Sequence, residues 1–202
     1  METLVIVDFQ KDFASRDGSL YVPGAEKAEA AIIDYISKNH NKISDVMFTV
    51  DWHSPKHCSF VKNGGQWPAH CVQFTEGAGI SGNLMRTCME YDIYVKVFKK
   101  GTVNDCEEYG AFEYINTRCI GEDDYVVTVN NVANKNEQFF DTTNIVVCGL
   151  AGDYCVQETI KNLLRYNGGL ELNISALKDG IASIDGGVSF NSFAKEANLT
   201  LI

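Results

Sequence analysis

Cys155 closes the stretch Ile145-Val146-Val147-Cys148-Gly149-Leu150-Ala151-Gly152-Asp153-Tyr154-Cys155. The apolar, β-branched start reads as a buried strand, a glycine-rich elbow follows, and a helical pattern then opens with the cysteine in its first turn. A thiol there feels the positive end of the helix dipole, which favours the thiolate, the nucleophilic form. A small buried core cysteine would leave the same local pattern. A second chemistry is carried by Asp51-Trp52-His53. Residues i and i+2 of an extended chain point to the same side, so one carboxylate and one imidazole could grip the same ion. His70, in Gln66-Trp67-Pro68-Ala69-His70-Cys71, could add a third ligand. Mixed N/O ligands suit zinc, manganese or iron(II), and three protein ligands leave positions for water or substrate. The plain alternative is a surface D-x-H beside an unrelated loop histidine. His57 reads as a loop residue and His40 as solvated at a helix end. Asp8 could take the thiol proton or merely cap backbone N–H groups, and Lys100 could hold Asp8 ionised or sit solvated beside Lys99. Phe13 and Trp67 could wall an apolar slot for a flat ring, or pack in a core.

The polar residues fall repeatedly at the ends of strand-like runs. Thr3 to Val7 is a short apolar run ending at Asp8, and Val46 to Val50 is another ending at Asp51. Ile93 to Phe98 reads as a third strand, followed by Lys99-Lys100-Gly101. Ile145 to Cys148 is a fourth and Leu170 to Leu177 a fifth. Tyr125 to Val129 could be an extra strand, and the stretch from Asn130 to Asp141 is a weak helix. Ala25 to Lys38, Val156 to Tyr166 and Phe190 to Ala197 carry apolar residues at helical spacing. Ser54 to Gly82 has no clear period and reads as a long loop, a class that is usually functional in compact domains. Strands alternating with helices predict a parallel sheet with right-handed crossovers, in one three-layer α/β/α domain over residues 1–202. With strand order 3-2-1-4-5, Asp8 and the Cys155 elbow face each other where the crossovers diverge, and ligands bind in such a crevice.

Composition narrows the partners. The chain has 202 residues and a formal net charge of −10. That charge argues against nucleic acid and against an anionic membrane surface, and says little about a neutral small molecule. No secretory leader and no membrane-spanning run is visible, so a cytoplasmic protein is expected. Seven cysteines without a CxxC pair argue against a disulfide framework and predict reduced thiols.

Taken together the motifs resemble the isochorismatase-like cysteine hydrolases, and within them the nicotinamidase/pyrazinamidase family. The matching segments are Val7-Asp8-Phe9-Gln10 with Phe13; Asp51-Trp52-His53; Trp67-Pro68-Ala69-His70-Cys71-Val72-Gln73; Lys100-Gly101 with Tyr109-Gly110-Ala111-Phe112; and Cys148-Gly149-Leu150-Ala151 with Asp153-Tyr154-Cys155-Val156. They stand in family order and cover the chain from the first strand to the helix after the fourth. The resemblance implies a Rossmann-type, mostly parallel sheet of about six strands. It implies a triad of Asp8, Lys100 and Cys155, and one divalent metal on Asp51, His53 and His70, zinc first, with manganese or iron as alternatives. It implies a pocket to which Phe13, Trp67, Tyr109, Leu150 and Ala151 contribute, and a cis peptide at Leu150-Ala151. The implied activity is hydrolysis of nicotinamide to nicotinate and ammonia in NAD salvage through a cysteine thioester, with pyrazinamide as a side substrate. Self-association stays open. So do two other readings: a different amide or carbamoyl hydrolase of the superfamily, and a non-catalytic binding protein of the same fold. The family usually carries Thr at Gly152 and Ser at Gly110, which bears on substrate fit.

Overall fold

In the computed structural model, which describes residues 1–112, 140–165 and 171–202, the strands are β1 (Glu2–Val7), β2 (Ile43–Asp51), β3 (Tyr94–Lys100), β4 (Asn144–Gly149), β5 (Asn173–Ile181) and β6 (Thr200–Leu201). The helices are α1 (Lys11–Ala14), α2 (Ala25–Asn39), α3 (Gly82–Glu90), α4 (Gln157–Arg165) and α5 (Val188–Glu196). The strands form one sheet in the order β3-β2-β1-β4-β5-β6, and every neighbouring pair is parallel. The central strands are apolar from Leu4 to Val7 and from Ile145 to Cys148 because both of their faces are covered. In β1, Leu4 and Ile6 join the core layer that contains α2 and α3, while Val5 and Val7 join the layer that contains α4 and α5. In β4, Val146 and Cys148 take the first side, Ile145 and Val147 the second. Burying each of the larger aliphatic side chains contributes about 1.5–3 kcal/mol.

The chain progresses outward from β1 to β3 on one side and from β4 to β6 on the other, so β1 and β4 flank the switch point. Val7 pairs with Thr49 of β2 and with Gly149 of β4, which brings the ends of three strands into register. The expected order of the first five strands is therefore observed, with a two-residue sixth strand too short to show a period.

Several boundaries differ from expectation. The second strand begins at Ile43 and the fifth runs from Asn173 to Ile181. The helix expected from Val156 starts as a π turn over Gly152–Val156 and becomes α-helical at Gln157. The helix α3 was not legible, since its buried face is only Leu84, Thr87 and Cys88. It begins at Ser81, whose hydroxyl accepts the Leu84 N–H. The long loop has two 3₁₀ turns, Val61–Asn63 and Glu76–Ala78. The candidate strand Tyr125 to Val129 lies outside the described residues, as does most of the weak helix from Asn130. Cys106 is disulfide-bonded, against the expectation of reduced thiols throughout, while Cys58, Cys71, Cys88, Cys148 and Cys155 are free. No described helix is long and apolar enough to cross a membrane.

Candidate active site

Asp8 is the first residue beyond β1 and takes a left-handed backbone, φ 47°, that turns the chain away from the sheet. Its N–H donates to the Thr49 carbonyl at 3.0 Å, and the Thr49 hydroxyl donates to Asp8 Oδ1 at 2.8 Å. Asp8 is completely buried and thus requires a counter-charge. Lys100 supplies it. This lysine ends β3, and its stem reaches across β2 to place Nζ 2.7 Å from Asp8 Oδ2 and 2.5 Å from Asp51 Oδ1. Nζ is also 3.6 Å from Cys155 Sγ. Carboxylate oxygens of Asp8 and Asp51 and the sulfur of Cys155 lie within 4.8 Å of one another. Lys100 is fully buried, whereas the neighbouring Lys99 packs its ammonium over the Trp52 ring at 4.4 Å.

The electrostatics follow from this cage. Burial disfavours the Lys100 ammonium, but Asp51 and Asp8 outweigh it and raise its pKa well above the usual lysine range. Burial likewise works against the Asp51 carboxylate, yet Lys100 and His53 pull its pKa down. Asp8 is raised, chiefly by burial and partly by Asp51, with Lys100 opposing. Burial also lifts the Cys155 thiol well above its usual range, with Lys100 opposing and Asp8 and Asp51 reinforcing. These effects oppose the helix-dipole expectation of a thiolate. The dipole is one modest effect set against desolvation and two nearby carboxylates. Burial and the carboxylates favour the thiol form of Cys155, beside a carboxylate able to take its proton.

Asp51 and His53 leave the end of β2 on one side of the chain. His53 Nε2 is 3.4 Å and His70 Nε2 3.8 Å from Asp51 Oδ2. The other ring nitrogens face backbone carbonyls, His53 Nδ1 at 2.8 Å from Gly101 O and His70 Nδ1 at 2.8 Å from Pro68 O. A carbonyl can only accept, so both Nδ1 atoms carry a proton, and in the neutral rings both Nε2 atoms present lone pairs. Two lone pairs and a carboxylate oxygen then meet at one buried point. His53 Nε2 has no hydrogen-bond partner there. This arrangement fits a divalent cation, and the carbonyls are the outer partners that fix ligand tautomers in metal sites. The donor set of two imidazoles and a carboxylate suits zinc, manganese or iron(II).

Three supporting residues escaped the sequence reading. Gln10 is completely buried. It binds the Asp51 backbone at both ends, donating to the Asp51 carbonyl at 2.8 Å and accepting its N–H at 2.7 Å. Asp12 accepts the Cys71 N–H at 2.8 Å and so holds the turn that carries His70. His57, expected as an ordinary loop residue, is fully buried and stacked on His53 with ring centroids 4.0 Å apart. Its Nδ1 lies 2.7 Å from Ser59 Oγ and its Nε2 3.0 Å from the Cys106 carbonyl, so it braces His53. Burial pushes its pKa down to about 4. No local signal marked these roles, because each partner is distant in sequence or lies in an aperiodic loop. His40, expected to be solvated, is part-buried and stacks on Tyr91.

Above the cage is a small, partly open cavity. Cys155, Asp51 and His70 form its polar floor, with Glu107 adding a carboxylate. Phe13, Trp67 and Tyr109 wall it, and the Trp67 indole N–H donates to the Tyr109 hydroxyl at 3.1 Å. Ala151 lines it too, beyond a cis Leu150-Ala151 peptide. Leu150 does not: its side chain is completely buried in the core layer of α2, which corrects its expected place in the pocket. Leu20, Val22, Tyr154 and Ile184 complete the lining. The described pocket is thus an apolar slot over a thiol, an ammonium and two carboxylates.

No protein-family model matches the chain. Among curated proteins, the nicotinamidase of Saccharomyces cerevisiae is 29% identical over 183 residues, covering 79% of each chain. The crystal structure of the yeast nicotinamidase bound to the inhibitor nicotinaldehyde superposes with a TM-score of 0.78 at 26% identity, covering 100% of this chain and 99% of that one. The pyrazinamidase of Pyrococcus horikoshii in complex with zinc superposes with a TM-score of 0.70 at 27% identity, covering 100% and 98%. In sequence and in fold, over nearly the whole length of the compared structures, the chain is similar to nicotinamidases and pyrazinamidases.

Proposed function

We propose that the protein hydrolyses nicotinamide to nicotinate and ammonia, with Cys155 as nucleophile, Asp8 as proton carrier and Lys100 as their electrostatic partner. The observation that carries this reading is the buried contact of thiol, ammonium and carboxylate beneath a small slot lined by Phe13, Trp67 and Tyr109. The similar nicotinamidases act on nicotinamide, and a yeast relative binds nicotinaldehyde, which supports the same substrate class here.

Asp8 takes the Cys155 proton as sulfur attacks the amide carbonyl carbon. A thiol with a raised pKa needs this base, and Asp8, its own pKa raised by burial, is matched to receive the proton. The carbonyl oxygen becomes an oxyanion that requires preorganised donors. The Leu150, Gly152, Tyr154 and Val156 amides of the elbow are committed to backbone carbonyls. The Ala151 N–H has no such acceptor among the described residues, and Ala151 faces the pocket. The tetrahedral species collapses as the C–N bond breaks, and the leaving nitrogen receives the proton from Asp8 and departs as ammonia. Asp8 then takes a proton from water, whose oxygen attacks the thioester; the C–S bond breaks, nicotinate leaves, and Cys155 recovers its proton. Lys100 keeps Asp8 ionised when no proton is aboard. A divalent metal on Asp51, His53 and His70 would supply a Lewis-acid anchor that orients the pyridine ring. Gln10 and His57 hold two of those ligands in place.

The test is ammonia release from nicotinamide by purified protein, beside Cys155→Ala. Activity in the wild type and a loss of about 10³-fold or more in the variant are expected. Near-normal turnover by Cys155→Ala would reject the thiol mechanism, and an inert wild type with nicotinamide would reject the substrate.

A further inference from the structure

The pocket mouth holds a side chain that the triad and metal ligands do not use. Ile184 lines the cavity, yet is 42% exposed, an aliphatic surface that a bound ring would cover. It lies on the segment joining β5 to α5, and that segment is bolted to the nucleophile elbow. Both carboxylate oxygens of Asp153, two residues before Cys155, accept backbone N–H groups, Ile184 N at 3.0 Å and Asp185 N at 3.0 Å. The Gly152 N–H donates to the Ala182 carbonyl at 2.8 Å. Asp185 in turn caps α5, accepting the Gly187 and Ser189 N–H groups at 2.8 Å each. Glycine at position 152 leaves room for Ser183 and Ile181 to pack against the elbow. A Cβ there would collide with Ser183 Oγ and fall within 2.8 Å of Ile181 Cγ2.

From these contacts we infer that Ile184 sets the size of the aromatic ring the pocket accepts, held at the rim by the Asp153 carboxylate and by the missing side chain of Gly152. The inference rests on the pocket being the ring site proposed above. A rim residue on a free loop would swing aside for a larger ligand. Ile184 hangs from a backbone fixed by two hydrogen bonds to one carboxylate, so a substituent directed at it meets a wall. One methyl or methylene in an apolar pocket changes discrimination by roughly 10–200-fold.

The test uses the full chain and two readouts. Calorimetry gives dissociation constants for pyridine-3-carboxylate and each of its ring-methylated isomers, and ammonia release gives kcat/KM for the matching carboxamides. In Ile184→Ala at least one methylated acid should gain about tenfold relative to the unmethylated acid, and in Ile184→Phe the same isomer should lose. Asp153→Asn replaces one acceptor with a donor facing a backbone N–H, and should relax the same ratio although Ile184 is intact. Val188→Ala, 72% exposed nearby, should leave the ratios unchanged. Ratios within about twofold of wild type for every isomer in Ile184→Ala, a change smaller than one methyl is worth, would overturn the inference even if nicotinamide is hydrolysed. A shifted binding ratio without ammonia release would uphold size selection and reject the hydrolase reading. No binding of any pyridine acid would reject both.

Discussion

Lys100 carries the charge balance of the site. Its ammonium is shared by two buried carboxylates at 2.7 and 2.5 Å, and it has no exposure to solvent. Removing one partner of a buried ion pair costs about 3–5 kcal/mol, because the charge left behind stays desolvated. Lys100→Met strands two carboxylates, so urea denaturation should show a loss at the upper end of that range. Asp8→Asn in the same background removes one stranded charge and should recover part of the stability. Additive losses in the double variant would show that the lysine and Asp8 are not energetically coupled. Lysine's long stem allows this bridge, but nothing in the Lys99-Lys100 dipeptide tells which of the two turns inward.

At the scale of elements, the site is built from strand ends and the backbone that leaves them. Gly101 follows β3 with φ +60°, and a Cβ there would sit 2.6 Å from His53 Nδ1. Its carbonyl also accepts the proton that fixes the His53 tautomer. Gly101→Ala should therefore displace the His53 ring and weaken zinc or manganese binding by about 10–100-fold, the usual cost of losing an outer-shell partner. Titration calorimetry on chelator-treated protein reads this directly, and an unchanged affinity would remove Gly101 from the site. The Gly110 departure is a matter of packing. A Cβ at 110 would meet Asn162 Nδ2 at 2.5 Å and the Glu158 backbone at 2.8 Å, and the Asn162 amide donates instead to the Ala111 carbonyl at 2.9 Å. Gly110 thus brings the Tyr109 strap against α4.

Across the whole molecule, the proposed metal ligands join the end of β2 to the long loop between β2 and α3. A ligand that binds only the folded state stabilises by mass action, about 2.7 kcal/mol at a hundredfold excess over Kd. Adding zinc or manganese to the chelator-treated protein should raise Tm, and His70→Ala should abolish most of the rise. An equal rise in that variant would place the stabilising ion elsewhere.

Local pattern is enough for the alternation of strands and helices, for the positions of Asp8, Asp51, Lys100 and Cys155 at or after strand ends, and for the same-side placement of Asp51 and His53. Each of these follows from local periodicity: two for a strand, 3.6 for a helix, and a turn after each run. Tertiary packing sets the burial of Lys100, the desolvation that raises the Cys155 thiol pKa, the bracing position of His57 and the core position of Leu150. Burial and the identity of the nearest charge depend on residues some fifty or more positions away, as Lys100 with Asp51, 49 apart, and Cys155, 55 apart, illustrate. Gln10 makes the same point: its amide fits the Asp51 backbone only because parallel pairing sets the ends of β1 and β2 side by side. A local pattern can say which side chains leave a strand together, whereas desolvation and partner choice arise only when distant strand ends are brought into register.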